Sequence, residues 1–160
     1  MEKAQDEIWV LLHNIRSAHN VGSMFRTGDA IGVTRFLLSG FTPTPLDRFK
    51  RPVKEIAKTA LGAELSIPWE QGDSALDFVA QAKASGFTVV GVEQDVRAVD
   101  YKTYVPKAKT LIVMGEEVNG IEEALRNVCD VFIELPMKGD KESLNVSVAF
   151  GITMYRLFDR

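Results

Sequence analysis

The chain has 160 residues, of which 46% are apolar and 26% are charged, and its formal net charge is −3 at pH 7. This balance predicts one compact domain with a buried core, and the acidic total argues mildly against a general nucleic-acid-binding protein. No apolar run approaches the roughly 18 residues of a membrane span, and the N-terminal residues lack a secretory pattern, so we expect a cytoplasmic protein without membrane contact.

Apolar runs and helical patterns alternate along the chain. Strands are predicted at 8–12, 35–39, 65–69, 87–92, 110–114 and 131–135, and helices at 20–32, 73–85, 120–127 and 144–158. Most of the strand runs are continuously apolar, which is typical of strands that are covered on both faces of a sheet. The predicted fold class is therefore α/β, with an open, mostly parallel sheet and helices on both of its faces.

The first predicted helix follows the first strand, and Asn20 is predicted to cap its N-terminus. Because helical side chains lean toward the N-terminus, the side chain of Arg26 is predicted to cover the space that Gly22 leaves free. A guanidinium would then lie beside Asn20 at the start of the helix. The alternative is an exposed Arg26 that is bonded to a nearby carboxylate.

Residues 47–58 concentrate positive charge within an acidic chain. The basic residues of this segment are Arg48, Lys50, Arg51, Lys54 and Lys58, and its acidic residues are Asp47 and Glu55. Such a cluster predicts a local basic surface that attracts phosphate groups. A solvated helix face would account for the same pattern.

The loops after residues 92, 114 and 135 leave the carboxyl ends of predicted strands, where open α/β sheets bind their ligands. In the second of these loops Gly115 and Gly120 lie on either side of Glu116 and Glu117, so its backbone could approach a ligand closely. Ordinary turn chemistry would also explain these two glycines.

The third loop leads through Ser143, Leu144 and Asn145 into the last predicted helix. A helix N-terminus presents free backbone N–H groups, which bind anionic and hydrogen-bonding ligands. These loops are therefore the predicted wall of a ligand pocket.

No metal site or nucleophile motif is recognisable in the sequence. The chain has one cysteine, Cys129, and two histidines, His13 and His19, which give no zinc-binding spacing. Cys129 is predicted to be a small residue of the core.

Three segments together resemble the motifs of the SpoU-type (TrmH-like) RNA ribose methyltransferases of the SPOUT superfamily. They are NIRSAHNVGSMFRT at 14–27, LIVMGEEVNGI at 111–121 and LPMKGDKESLNVSVA at 135–149, and KTALGAE at 58–64 is similar to a segment between the first two. The resemblance is ordered and spans essentially the whole chain. It implies methyl transfer from S-adenosylmethionine to a ribose 2′-hydroxyl of tRNA or rRNA, with S-adenosylhomocysteine as product and no metal.

The resemblance also assigns residues to roles. The implied catalytic residues are Arg26, Asn20, Glu117, Ser143 and Asn145. The implied cofactor-binding residues are Val92, Gly115, Leu135 and Leu144, together with Ser143 and Asn145. Since a neutral guanidinium is unfavourable, we expect Arg26 to hold the neighbouring phosphate and to stabilise the developing alkoxide, whichever group accepts the proton.

The resemblance further implies a deep trefoil knot in the C-terminal region and a homodimer. Unlike many relatives, the chain shows no N-terminal RNA-binding domain, so residues 1–160 are expected to form one catalytic domain that binds RNA directly. The predicted RNA-binding residues are Arg16, His19, Arg48, Lys50, Arg51 and Lys54. The dimer contact is expected from Phe150, Met154 and Leu157, although core packing within one subunit would explain the same helical spacing.

Two other functions are compatible with these patterns. One is a catalytically silent RNA-binding relative with the same fold, against which the retained motif residues argue. The other is a small-molecule enzyme that binds a nucleotide in the same pocket and requires no RNA.

Overall fold

The computed structural model describes residues 5–159, so residues 1–4 and Arg160 of the predicted domain lie outside the described part. The elements in chain order are β1 (Glu7–His13), α1 (Ala18–Ile31), β2 (Arg35–Ser39), α2 (Lys54–Ala60), α3 (Ala63–Ser66), β3 (Trp69–Gly72), α4 (Ala75–Ala84), β4 (Thr88–Val92), β5 (Val99–Asp100), β6 (Lys109–Met114), α5 (Glu123–Arg126), β7 (Val131–Glu134) and α6 (Val146–Phe158).

The strands of the described residues form one sheet in the order β3-β2-β1-β6-β4-β7-β5. Every neighbouring pair is parallel, which confirms the predicted α/β class. Because the strands run in the same direction, the loops that follow β1, β2, β4, β6 and β7 open at one edge of the sheet.

The sheet is buried on both faces because its strands carry apolar side chains toward each. In β1, Val10 and Leu12 pack into the core cluster of one face, which α1, α2, α3 and α6 cover. Leu11 points the other way, into the cluster that α4 and α5 cover. The strands are therefore continuously apolar because both faces of the sheet are covered, as predicted.

The predicted strand at 65–69 is wrong. Residues 63–66 form the short helix α3, with Leu65 exposed, and the strand begins only at Trp69. Pro68 explains the boundary, because the residue before a proline disfavours the helical conformation. The sequence patterns also missed α2 and the two-residue strand β5.

The start of α1 differs from the prediction. Ser17, not Asn20, is the N-cap, and its Oγ accepts a hydrogen bond of 3.2 Å from the backbone N–H of Asn20. The helix therefore begins earlier, and the Asn20 side chain is released from capping to make other contacts.

The predicted position of Arg26 over Gly22 is also wrong. A Cβ atom at Gly22 would lie 2.0 Å from Thr59 Oγ1 and 2.4 Å from the carbonyl oxygen of Ile56. The space beside Gly22 is therefore occupied by α2, which packs directly against α1.

The apolar stripe of α6 that we expected to form a dimer contact lies inside the subunit. Phe150, Met154 and Leu157 are fully buried in the core cluster with α1 and the sheet. Their role as a dimer contact is therefore wrong, and core packing explains their spacing. The exposed apolar residues of this region are instead Leu144, Val148, Ile152 and Tyr155.

Candidate functional site

A cavity of about 270 Å³ opens where the loops after β4, β6 and β7 meet the start of α6. These are the three loops that the sequence predicted as the pocket wall. The lining includes most of the implied cofactor-binding residues, namely Val92, Gly115, Leu135, Ser143 and Leu144, whereas Asn145 is not part of it.

The wall that follows β6 is a tight turn that depends on its two glycines. Glu116 and Gly120 exchange two backbone hydrogen bonds, of 3.1 and 2.8 Å. A Cβ at Gly115 would lie 2.5 Å from the backbone nitrogen of Ile121, and Gly120 has a φ of +70°. The glycines therefore serve turn geometry, and by closing the turn they also expose its backbone to the cavity.

A chain of side-chain hydrogen bonds connects the three motif segments at the rim of this cavity. Asn20 Nδ2 on α1 donates to Glu117 Oε1 over 3.3 Å. Asn145 Nδ2 at the start of α6 donates to Asn20 Oδ1, also over 3.3 Å. Residues that are far apart in sequence, from α1, the loop after β6 and the N-terminus of α6, thus form one polar network.

Glu117 is held as a carboxylate by this network. It also accepts hydrogen bonds from the backbone N–H groups of Arg16 and Ser17, at 3.1 and 3.3 Å. Partial burial raises the pKa of the carboxyl group, but these donors and the Asn20 amide outweigh burial and the pKa is lowered overall. The fixed negative charge lies where β1 enters α1, on the cavity wall.

Asn145 has a second role as the N-cap of α6. Its Oδ1 accepts hydrogen bonds from the backbone N–H groups of Ser147 and Val148 at 2.9 and 3.4 Å. The oxygen of the amide thus satisfies the helix, while its nitrogen binds Asn20. Ser143, two residues earlier, is exposed in the loop that enters the helix.

Arg16 forms part of the rim beside Glu117. Its Nε donates to Glu116 Oε1 over 2.8 Å, and this contact lowers the pKa of Glu116 together with a hydrogen bond from Asn119. The guanidinium is nevertheless mostly exposed. A predicted RNA-binding residue is therefore fixed to the cavity wall while remaining accessible.

Arg26 lies on the exposed side of α1 and does not line the cavity. Within residues 5–159 its side chain makes no hydrogen bond or ion pair. The alternative in which a nearby carboxylate binds it is therefore wrong for the carboxylates of these residues. Its guanidinium is available to a group outside the described residues.

The predicted basic segment consists of a loop and the start of α2. The guanidinium groups of Arg48 and Arg51 both lie close to the ring of Phe49. Lys50 is exposed, and Lys54 is the first residue of α2. His19, the remaining predicted RNA-binding residue, is exposed on α1.

One polar cluster near the site was not predicted. His13, at the end of β1, binds Ser39 Oγ through Nδ1 over 2.8 Å and Glu122 Oε1 through Nε2 over 2.9 Å. It ties the residue that precedes α5 to the ends of β1 and β2. The signal in the sequence was a histidine that ends an apolar strand, which by itself indicates no partner.

Cys129 is partly buried and packs against the second core cluster, which confirms its predicted position only in part. Burial raises the pKa of its thiol to about 11, so the reactive thiolate is not formed near neutral pH. Within the described residues, no group of three or more His, Cys, Asp or Glu side chains is arranged to hold a metal ion. Across residues 5–159, no helix has the length and apolar character that crossing a membrane requires.

The geometry agrees with a known family. The profile of the SpoU rRNA Methylase family matches residues 7–155, which include all three motif segments. The chain belongs to this family. The resemblance noted in the sequence is therefore confirmed, and the SpoU motifs are the segments that meet at the cavity.

One relative matches nearly the whole chain in sequence. A protein of Staphylococcus haemolyticus named for the TrmH family of tRNA/rRNA methyltransferases is 32% identical over 149 residues, which are 93% of this chain and 57% of that protein. The chain thus spans little more than half the length of this relative.

Solved structures give the same result. The AdoMet-bound rRNA methyltransferase from Sinorhizobium meliloti superposes with a TM-score of 0.84 at 27% identity, covering 98% of this chain and 57% of that one. The SpoU methyltransferase AviRb from Streptomyces viridochromogenes, in complex with AdoMet, gives a TM-score of 0.82 at 26% identity, covering 97% and 60%.

Proposed function

We propose that the chain transfers a methyl group from S-adenosylmethionine to a ribose 2′-hydroxyl of tRNA or rRNA. The observation that carries this proposal is the hydrogen-bond chain from Glu117 through Asn20 to Asn145, which unites the three family motifs beside a cavity. Two AdoMet-bound members of the family with the same fold support the choice of cofactor.

The cavity fits an adenosyl group. Its volume of about 270 Å³ is close to the lower end of the range for small-molecule sites. Val92, Leu135 and Leu144 supply apolar wall, and the turn at Gly115 supplies backbone polar groups. The carboxylate of Glu117 provides negative charge that suits a cationic ligand. When bound, the sulfonium supplies an activated methyl group.

The residues around the cavity would then orient the acceptor. Asn20 is held between Glu117 and Asn145, so its amide has a fixed direction. Ser143 is exposed at the cavity wall and can donate a hydrogen bond to an RNA hydroxyl. Arg26 would bind the neighbouring phosphate and stabilise negative charge on the ribose oxygen, a task that suits a planar, always charged guanidinium.

We infer that the C-terminal region forms the trefoil knot of the family. Residues 93–98 connect β4 to β5, and β7 lies between these two strands. The chain that leaves β7 is bonded to this connection, because Gln94 Nε2 donates to the carbonyl oxygen of Glu142 over 2.9 Å. The segment that follows β7 is therefore hydrogen-bonded to the connection that passes across β7. This arrangement supports a chain that is threaded through a loop.

We infer that two copies of the chain associate through α6. Leu144, Val148, Ile152 and Tyr155 repeat at helical spacing and are exposed along one side of the helix and its entry. Such a stripe on the surface favours a protein contact. The free Arg26 lies on α1, which packs against α6, so a dimer at this surface could bring it to the cavity of the partner subunit.

We infer that the basic loop and Arg16 bind RNA phosphates. Replacing Arg48, Lys50 and Arg51 together by glutamine should weaken RNA binding and flatten its salt dependence, since each phosphate contact releases counterions. RNA affinity that is unchanged in this variant would contradict the assignment of these residues to RNA binding.

Transfer of a labelled methyl group tests the proposed reaction. The protein is incubated with [methyl-³H]S-adenosylmethionine and unmodified tRNA or rRNA, and the product is hydrolysed with alkali. A 2′-O-methyl group protects the adjacent phosphodiester, so the label should appear in alkali-resistant dinucleotides.

Each other outcome identifies a different failure. Label in mononucleotides would indicate base methylation and would contradict ribose specificity. RNA binding without incorporation would indicate a catalytically silent relative. Failure to bind S-adenosylhomocysteine, together with an activity that does not require RNA, would favour a small-molecule enzyme.

A further inference from the structure

We propose that Phe49 is a stacking surface for an unpaired base of the RNA, with Phe41 as a second ring closer to the cavity. The inference rests on the proposed RNA substrate and adds base contacts to it. Both rings lie in the loop that leaves the carboxyl end of β2, at the sheet edge where the cavity opens.

The tip of this loop is rigid. Leu46 and Pro52 form an antiparallel bridge at its base. Asp47 Oδ1 accepts hydrogen bonds from the backbone N–H groups of Phe49 and Arg51, at 2.8 and 3.0 Å. The position of the Phe49 backbone is thus determined before any ligand binds, which lowers the entropy lost on binding.

The ring of Phe49 is exposed and accompanied by positive charge. Phe49 is 61% exposed to solvent. The guanidinium carbon of Arg48 lies 4.7 Å from the ring centroid and that of Arg51 lies 4.9 Å from it. A single exposed apolar residue is ordinary on a protein surface, but an exposed ring with two guanidinium groups within 5 Å of its centroid is a distinctive arrangement.

Charge and ring together match one chemical class of partner. The tip carries Arg48, Lys50 and Arg51 against Asp47, a net charge of +2 from three cations and one anion. Proteins that bind single-stranded nucleic acid combine cations for the phosphates with aromatic rings for the bases. An acidic peptide would use the same cations, but it offers an aromatic group only where its sequence has one, whereas RNA has a base beside every phosphate.

Phe41 is the second exposed ring of this loop. It is 52% exposed, and its backbone N–H donates to Asn14 Oδ1 over 3.1 Å. The guanidinium carbon of Arg16 lies 5.1 Å from its ring centroid, and Arg16 is itself bonded to Glu116 on the cavity wall. A second aromatic ring with an arginine therefore lies in the same loop, next to a residue that is bonded to the cavity wall.

Three substitutions at Phe49 separate stacking from apolar bulk. Fluorescence anisotropy with a labelled single-stranded oligoribonucleotide and with bulk tRNA would measure the affinity of each variant. Phe49→Ala should weaken RNA binding by about 5- to 150-fold, the range expected for the loss of one stacked base. Phe49→Trp should retain binding, and its indole fluorescence should be quenched by RNA, whereas Phe49→Leu should behave like Phe49→Ala.

Control measurements distinguish the possible failures. Leu65→Ala removes an apolar side chain that is 84% exposed on α3 and should leave RNA binding unchanged. Calorimetric affinity for S-adenosylhomocysteine should be equal in all variants, which shows that the cavity is intact. If the wild type binds RNA and the Phe49→Ala variant binds it equally well, the stacking proposal is wrong and the proposed function stands.

Two further results would also overturn the proposal. A wild-type protein that binds no RNA would remove both stacking and the proposed function. A Phe49→Ala variant that sediments as a smaller species would assign the ring to a contact between copies of the chain.

Discussion

Arg26 is a motif residue whose role is not explained by contacts within the described part of the chain. It is exposed on α1, and among the described residues it has no hydrogen-bonding or ionic partner. Two polar residues of the same motif are engaged, since Ser17 caps the helix and Asn20 binds Glu117. A long side chain left free on the helix that carries this network is available to a ligand or a partner subunit, and its contribution to the stability of the subunit is small.

Replacing Arg26 by lysine tests whether the planar guanidinium is needed. Lysine keeps the charge but binds phosphate as a point donor, so we expect kcat for methyl transfer to fall by about 100-fold. The thermal midpoint and the affinity for S-adenosylhomocysteine should not change, because the side chain makes no hydrogen bond or ion pair among the described residues and does not line the cavity. Steady-state kinetics and calorimetry measure these quantities.

Arg35→Lys is a matched control for this substitution. Arg35 begins β2, where it pairs with Glu70, and it lies outside the motif segments. Its replacement should leave kcat unaltered. Near-normal turnover of the Arg26→Lys variant would show that positive charge alone is sufficient.

Among the secondary-structure elements, the N-terminus of α6 combines helix capping with the polar network. The Asn145 side chain has one atom for each task, with Oδ1 on the helix N–H groups and Nδ2 on Asn20. Substitutions can therefore remove one task and keep the other. The sequence predicted the helix and the motif, but not this division between two atoms.

Asn145→Asp should separate stability from activity. The carboxylate still accepts from the helix N–H groups and is favoured at the positive end of the helix, so stability should stay within about 0.5 kcal/mol of the wild type. It cannot donate to Asn20, so methyl transfer should fall. Asn145→Ala should lower both activity and stability, the latter by about 1 kcal/mol. Urea unfolding and labelled methyl transfer test this pair, and full activity of the aspartate variant would exclude a role for the Asn20 contact.

The close packing of α1 on α2 at Gly22 can be tested by substitution. A methyl group there would collide with the backbone carbonyl of Ile56, so Gly22→Ala should destabilise the protein by about 1–3 kcal/mol. Gly151, in the interior of α6, is the matched control, because a Cβ there would lie 3.8 Å from Thr27 Cγ2. Gly151→Ala should be neutral or stabilising by up to about 1 kcal/mol. Chemical unfolding at one protein concentration would compare the two, and equal effects would refute the close packing.

The same elements show how much of the fold was predictable. Continuous apolar runs located β1, β2, β4, β6 and β7, because strands buried on both faces tolerate few polar residues. The order of those strands and the meeting of Asn20 with Glu117 and Asn145 were not readable from local patterns, since they depend on contacts across about a hundred residues. Burial explains the error in α6, because one apolar stripe has the same spacing whether it packs inward or outward.

At the scale of the whole molecule, the position of Arg26 decides how many subunits make one site. It does not line the cavity of its own chain, yet α1 packs against α6, whose exposed side carries apolar residues. A symmetric dimer through that surface would place the same patch of each copy against the other. Each site would then combine the cavity of one subunit with the arginine of its partner.

Mixed dimers test this arrangement. One chain carries Arg26→Ala and keeps its cavity, and the other carries Leu135→Arg, which should fill the cavity and abolish binding of S-adenosylhomocysteine while keeping Arg26. Each variant alone should be inactive. If the arginine acts across the dimer, mixing by denaturation and refolding should restore about a quarter of the wild-type rate, since half of the dimers are mixed and each has one intact site. If the arginine acts within its own subunit, every site lacks one component and the mixture stays inactive. Sedimentation at micromolar concentration must show a dimer in both preparations, and a monomer there would exclude the shared site.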